Sequence, residues 1–207
     1  MALPAAAQDF VDTSGPLSDK AFYRLVASAA PPTEKCAKPF YRWTQTNITV
    51  GITQRDRVFL GGNLKRANAA VVRAIQRLNA VGMNVTLISD KVAPDITIHL
   101  LDIARTQKIT DNTAPLLNGR TMANAITALD VDGETITGAA IGFSNPVTIR
   151  QYESIMLEEI TQALGLITDI QNPYYRSRSI LSQNADNSLK TLGIQDTMVL
   201  IRHYPPS

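Results

Sequence analysis

From Glu153 to Leu166 the chain reads Glu-Ser-Ile-Met-Leu-Glu-Glu-Ile-Thr-Gln-Ala-Leu-Gly-Leu, so that Glu158, Glu159 and Gln162 are embedded in apolar residues on both sides. Helical spacing stacks Glu158 and Gln162 on one face and turns Glu159 about a quarter turn away. Two adjacent carboxylates in apolar surroundings are costly unless one is protonated or a cation pairs with them. A fold that holds this segment must open a cleft over these groups, give them buried partners, or turn them to solvent as a polar face.

The remaining pattern supplies the elements around that helix. Ser18 is placed to cap a helix with Phe22, Leu25, Val26 and Ala29 at helical spacing, stopped by Pro31-Pro32; we expect a satellite helix. Ile48, Val50 and Ile52 alternate as in a half-buried strand, and Trp43 just before them is expected to fill core. Asn63 opens the clearest amphipathic helix, with Leu64, Ala67, Val71, Ile75 and Leu78 on one stripe, Arg66, Arg73 and Arg77 off it, and Gly82 as the stop. Strands follow at 84–89 and 95–101, and the polar stretch 102–120 is read as a long surface excursion. Asp132-Gly133 marks a hairpin between 125–131 and the alternating Thr135 to Phe143 segment. Helices are expected over 147–166 and 194–204, the last ended by Pro205-Pro206. The expectation is an α/β (α+β) domain: a mixed twisted sheet, two long helices and a C-terminal helix.

Composition narrows the function classes. With 44% hydrophobic and 18% charged residues over 207 positions, the chain is globular and fits one domain, expected over 18–207 behind a flexible segment 1–17. Its net charge of +2 is carried by scattered basic residues, which argues against nucleic acid. Cys36 is the single thiol, so an internal disulfide and a cysteine metal knuckle are excluded, while a bridge to another chain stays open. No apolar run approaches the roughly 18 residues of a spanning helix. Ala2 to Gln8 reads either as the end of a secretory signal, with Met1 then not native, or as a loose alanine-rich start; the first reading implies export to a periplasm.

The spacing of Glu158, Glu159 and Gln162 is that of H-E-x-x-H, in which two histidines bind zinc and the glutamate polarises water. Here the segment resembles the metzincin group of zinc proteases, with Gly165 at the glycine of the longer motif. Arg178 to Ser182 is similar to the Met-turn of that group, with Leu181 in place of methionine. Leu189 to Tyr204, with Asp196, Leu200 and Tyr204, resembles its closing helix. The order of strand, long helix, two strands and an edge strand before the active-site helix fits too. The Glu-Glu-x-x-Gln-x-Leu-Gly-Leu version, with its Asn-Pro turn and Ser-Ile-x-Ser-Gln-Asn stretch, looks still closer to an uncharacterised family of exported bacterial proteins known as a domain of unknown function. That resemblance implies a zincin-like fold and a cell-envelope location.

Counting excludes a histidine site, because His99 and His203 are the only histidines and neither is on this helix. No metal is therefore expected; if one binds, Glu158, Gln162 and Asp169, or Thr168, make an oxygen site suited weakly to calcium or magnesium and poorly to zinc. His99 is read as structural on a less buried face, and His203 as a cation at a helix end. Glu158 or Glu159 is expected to be buried and held by the 169–183 loop, with Arg176, Arg178 or Ser179 as donors, while Tyr174 and Tyr175 add hydrogen bonds or cover core. Two functions stand first. One is a non-catalytic domain that binds a protein or peptide along the strand 135–143, expected at the sheet edge; the other is a hydrolase with Glu159 as general base. A purely structural envelope subunit is the third reading.

Overall fold

The structure, a computed structural model, describes residues 10–90, 92–111, 113–145, 147–183 and 188–206. The leader expectation for residues 2–8, the question of Met1 and the Asn184 of the Ser-Ile-x-Ser-Gln-Asn stretch lie outside the described residues. In chain order the elements are β1 (Phe10–Asp12), α1 (Asp19–Ser28), β2 (Asn47–Arg55), α2 (Gly62–Asn79), β3 (Thr86–Ser89) and β4 (Ile96–Leu100). They continue with β5 (Ala125–Asp132), β6 (Thr135–Phe143), α3 (Tyr152–Ala163), β7 (Asp169–Gln171) and α4 (Ile194–His203).

Five strands form a mixed sheet in the order β3-β2-β4-β6-β5, parallel except for the β5–β6 hairpin. Gly133, at φ +60°, closes that hairpin between the paired Asp132 and Thr135. The edge expectation for 135–143 is thus corrected: β6 is paired on both sides and the antiparallel edge is β5. A sequence pattern shows alternation but not which strand ends up outermost.

Helices α2 and α3 pack side by side, with α2 against β2 and β3 and α3 against β5 and β6, and both feed one core. Helix α1 packs on α4 and on β7, which pairs with β1, and the apolar residues of α1, α4 and β7 join the same core as α3. Every residue of α3 except Glu153 is therefore buried. The satellite expectation for α1 is corrected by the same packing, since Phe22, Leu25 and Val26 are fully buried in the main core. Ser18 caps α1 by accepting from Ala21 N, and Ala29 at φ 51° ends it before the prolines. Asn63 lies one residue inside α2, behind the glycine Gly61, and its amide donates to Val58 O at 3.3 Å. Phe10 to Asp12, expected within a loose leader, is a strand on β7. The 101–124 stretch is more than a surface excursion. Ile109, Ala114, Leu117 and Met122 close a small second core over Ile126, Ala128 and Ala140.

Candidate functional site

The carboxyl end of α3 is held by tertiary bonds to carbonyls that a helix end leaves unpaired. Trp43 Nε1 donates to Ala163 O at 2.9 Å, and Tyr204 Oη to Leu164 O at 2.7 Å. Gly165 then turns the chain at φ +102°, where a Cβ would stand 2.1 Å from Tyr41 O, so no other residue fits. This turn delivers β7 alongside α3 and sets Asp169 beside the helix's polar groups.

Glu159 and Asp169 are both 2% exposed. The Thr127 hydroxyl donates to Glu159 Oε2 at 2.6 Å, while Gln162 Nε2 and Gln183 Nε2 donate to the two oxygens of Asp169 at 2.7 and 3.0 Å. Burial pushes Glu159 up to about 8, against the pull of Thr127 and reinforced by the charge of Asp169. Burial likewise pushes Asp169 up to about 7, opposed by the two amides and by the charge of Lys38. Both carboxyls therefore resist ionisation in this setting.

These carboxyls open onto a cleft of about 970 Å³. Its floor is Ile155, Glu158 and Glu159 of α3 with Asp169 of β7; one wall is Ala123 to Ala125, leading into β5, and the other is Asp12, Thr13 and the Asn172 to Ser177 turn. Arg105 and Arg176 stand at its rim, both exposed. Glu158 is 8% exposed and also borders a small cavity beneath the helix with Ser154, Ser179, Ile180 and Ser182. The 179–182 stretch accordingly passes against α3.

Two of the donors expected from that loop, Ser179 and Arg178, are placed elsewhere. Ser179 gives its hydroxyl to Asp196 Oδ1 at 2.5 Å, and Asp196 also accepts from Ile180 N and Gly193 N, which caps α4 instead of holding α3. Arg178 donates to Tyr174 O at 2.8 Å and stacks 4.3 Å over the Tyr174 ring, facing solvent. Outside, its guanidinium keeps its hydration, whereas burial beside α3 would remove it. Arg176 reaches the cleft rim. A cation that acts on Asp169 is Lys38, from the loop between α1 and β2, whose Nζ is buried. Nothing in the local sequence around Lys38 points to this role. Thr127 could have been found, because Ala125, Thr127 and Leu129 share one strand face and a hydroxyl in that row calls for a partner.

Both histidines are buried away from the cleft carboxyls. His99 lies on the less buried face of β4 with the half-buried Thr97, is 5% exposed and bonded to Gln54 and Thr97, and burial lowers its pKa. His203 is corrected from a helix-end cation to a neutral ring. Burial holds it down to about 4, with Nε2 donating to Tyr41 O at 2.8 Å and Nδ1 3.1 Å from the Tyr23 hydroxyl. Tyr175 is buried and donates to Gln195, while Tyr174 covers the surface. Gln162 and Asp169, two of the three oxygen ligands considered for a metal, are bonded to each other. Among the described residues no group of three acidic, histidine or cysteine side chains is arranged to hold a metal.

A family model described as a protein of unknown function, DUF2927, matches residues 20–207. The chain belongs to the DUF2927 family. No curated protein matches it. The DUF2927 match begins inside α1 and runs through α4, so it takes in both cleft-forming elements, α3 and β7, and agrees with the domain of unknown function that the sequence resembles.

Proposed function

We propose that this domain is a non-catalytic, zincin-like module of the cell envelope whose cleft takes an extended segment of a protein or peptide. The observation that carries the reading is how the cleft is built. Its wall leads into the sheet's one antiparallel edge strand, β5, and its floor is the helix that bears Glu158 and Gln162 where the metzincin pattern has histidines. The strand order before α3, and the 179–182 stretch beneath it, support the same likeness. Ala125, Ile126 and Ala128 are covered, so the partner meets the wall at Ala123 and Asn124, which are half-buried. Arg105 and Arg176 at the rim, above an acidic floor, suit a chain carrying both signs of charge. The envelope location rests on the Ala2 to Gln8 stretch and on the family resemblance alone.

Zinc does not fit the donor set. An amide and carboxyls replace the imidazoles, Gln162 is engaged with Asp169, and a lysine ammonium lies close enough to act on that carboxyl. Any occupation by calcium or magnesium would be weak for the same reason.

The test is binding of a library of short unstructured peptides to the intact protein and to Ala123→Trp, which narrows the cleft at its wall. We expect sequence-dependent binding weakened at least about tenfold by the tryptophan, a loss of about 1.4 kcal/mol. Binding that ignores the tryptophan would refute the cleft as the site.

One observation favours a second reading, a hydrolase: Glu159 and Asp169 both line the cleft, and burial raises both carboxyls. Glu159, once ionised, would then act as general base. Turnover of any peptide that binds, abolished in Glu159→Gln while binding persists, would establish this reading over the first.

A further inference from the structure

The outer face of α2 lies away from the cleft, and none of residues 57–79 lines it. The helix carries Lys65, Arg66, Arg73 and Arg77 and no acidic residue, and Arg57 stands in the short turn before it. Of these, Arg73 and Arg77 share one carboxylate, Glu153 of α3, at 3.3 and 2.6 Å. Asp56, the acid nearest the turn, accepts from Asp102 N at 2.6 Å. The face therefore keeps a surplus of positive charge, although the whole chain carries only +2.

Apolar side chains are interleaved with these cations. Phe59 is 2% exposed and pins the turn, while Val58 and Leu60 on either side of it are 42% and 51% exposed. Val72, 46% exposed, lies two helical turns beyond Lys65 on the same line, and Arg66 and Arg73 repeat the spacing on the next. Basic residues alone would suit any polyanion. Projecting apolar residues among them suit an interface whose phosphates lie above hydrocarbon, where cations meet headgroups and short apolar side chains enter the acyl boundary.

We propose that the outer face of α2, with the Arg57–Leu60 turn that leads into it, docks on an anionic lipid surface. This is independent of what occupies the cleft. The experiment is flotation of the intact protein with vesicles of phosphatidylglycerol mixed into phosphatidylcholine, beside vesicles of phosphatidylcholine alone. The protein should float with the anionic vesicles and not with the neutral ones, and added salt should release it. Lys65→Glu with Arg66→Glu should weaken partitioning at least about tenfold, and Val58→Ser with Leu60→Ser at least about threefold. All four side chains are exposed, and unchanged melting temperatures confirm that each variant is folded. Absence of binding to anionic vesicles, equal binding to neutral ones, or full binding by the serine variant would overturn the proposal. The last result would make the face a site for a soluble polyanion, nucleic acid or acidic protein.

Discussion

Helices α2 and α3 lie side by side on the same sheet, yet they handle polar residues in opposite ways. In α2 the charged side chains occupy a solvent face and the apolar stripe faces the sheet, as amphipathic spacing requires. Helix α3 packs on the sheet and on α2 and shares one core with α1, α4 and β7, and Glu158, Glu159 and Gln162 are buried with the leucines and isoleucines. Water reaches the exposed Lys65, Arg66 and Gln76 of α2, while Arg73 and Arg77 meet Glu153. On α3 each buried polar group needs an assigned partner, and those partners come from β5, β7 and two loops distant in sequence.

The glycines past the two helices should show the contrast most strongly. Gly165→Ala sets a Cβ 2.1 Å from Tyr41 O at φ +102° and should cost about 3 kcal/mol or more, or prevent folding. Gly82, at φ +81° with open space around it, should cost about 1–2 kcal/mol when changed to alanine. Denaturant midpoints measure both, and equal losses would mean that the end of α3 is not enclosed.

Next in size is the polar network itself. Glu159→Ala removes the nearer of the two acceptors of Thr127, leaving Glu159 O at 3.2 Å, and should destabilise by about 1–3 kcal/mol in chemical denaturation. Glu159→Gln, which keeps the shape and a hydrogen-bonding oxygen, should cost clearly less. An alanine variant as stable as the parent would show that Glu159 stands in open cleft and would favour the hydrolase.

A pH series sharpens the same point. Glu159 and Asp169 are raised from 4.5 and 3.8 to about 8 and 7, so the native state binds more protons than the unfolded chain across that interval. Their contribution is thus present in acid and is lost as pH rises from about 4 to 8. His203, lowered from 6.5 to about 4, acts in the opposite sense: its contribution is present above 6.5 and is lost as pH falls toward 4. The difference in melting temperature between the parent and Glu159→Gln should therefore change steadily over about pH 5 to 8 in favour of the glutamine. A constant difference would contradict the raised carboxyl. The smallest effect is expected on the exposed side of α2, where Gln76→Ala should stay within about 0.5 kcal/mol of the parent by the same measurement.

Local pattern was enough to find most of the elements, though not the short strands β1 and β7. The 3.6-residue stripe of α2, the alternation of β2 and β6, the Asp132-Gly133 turn, the Ser18 cap and the α3 segment with its three polar residues were all legible, because each rests on contacts between near neighbours. So were the absence of a histidine site, which needs only counting, and the oddity of two glutamates in an apolar helix. Tertiary structure decided what no window of sequence holds. It put β5 rather than β6 at the edge, buried α1 in the core, sent Ser179 to Asp196 and Arg178 to Tyr174, and set Thr127, Gln183 and Lys38 around the Glu159–Asp169 pair. The physical reason is that a buried charge is satisfied by whichever donors the packing brings within about 3 Å, and that proximity is a property of the closed fold.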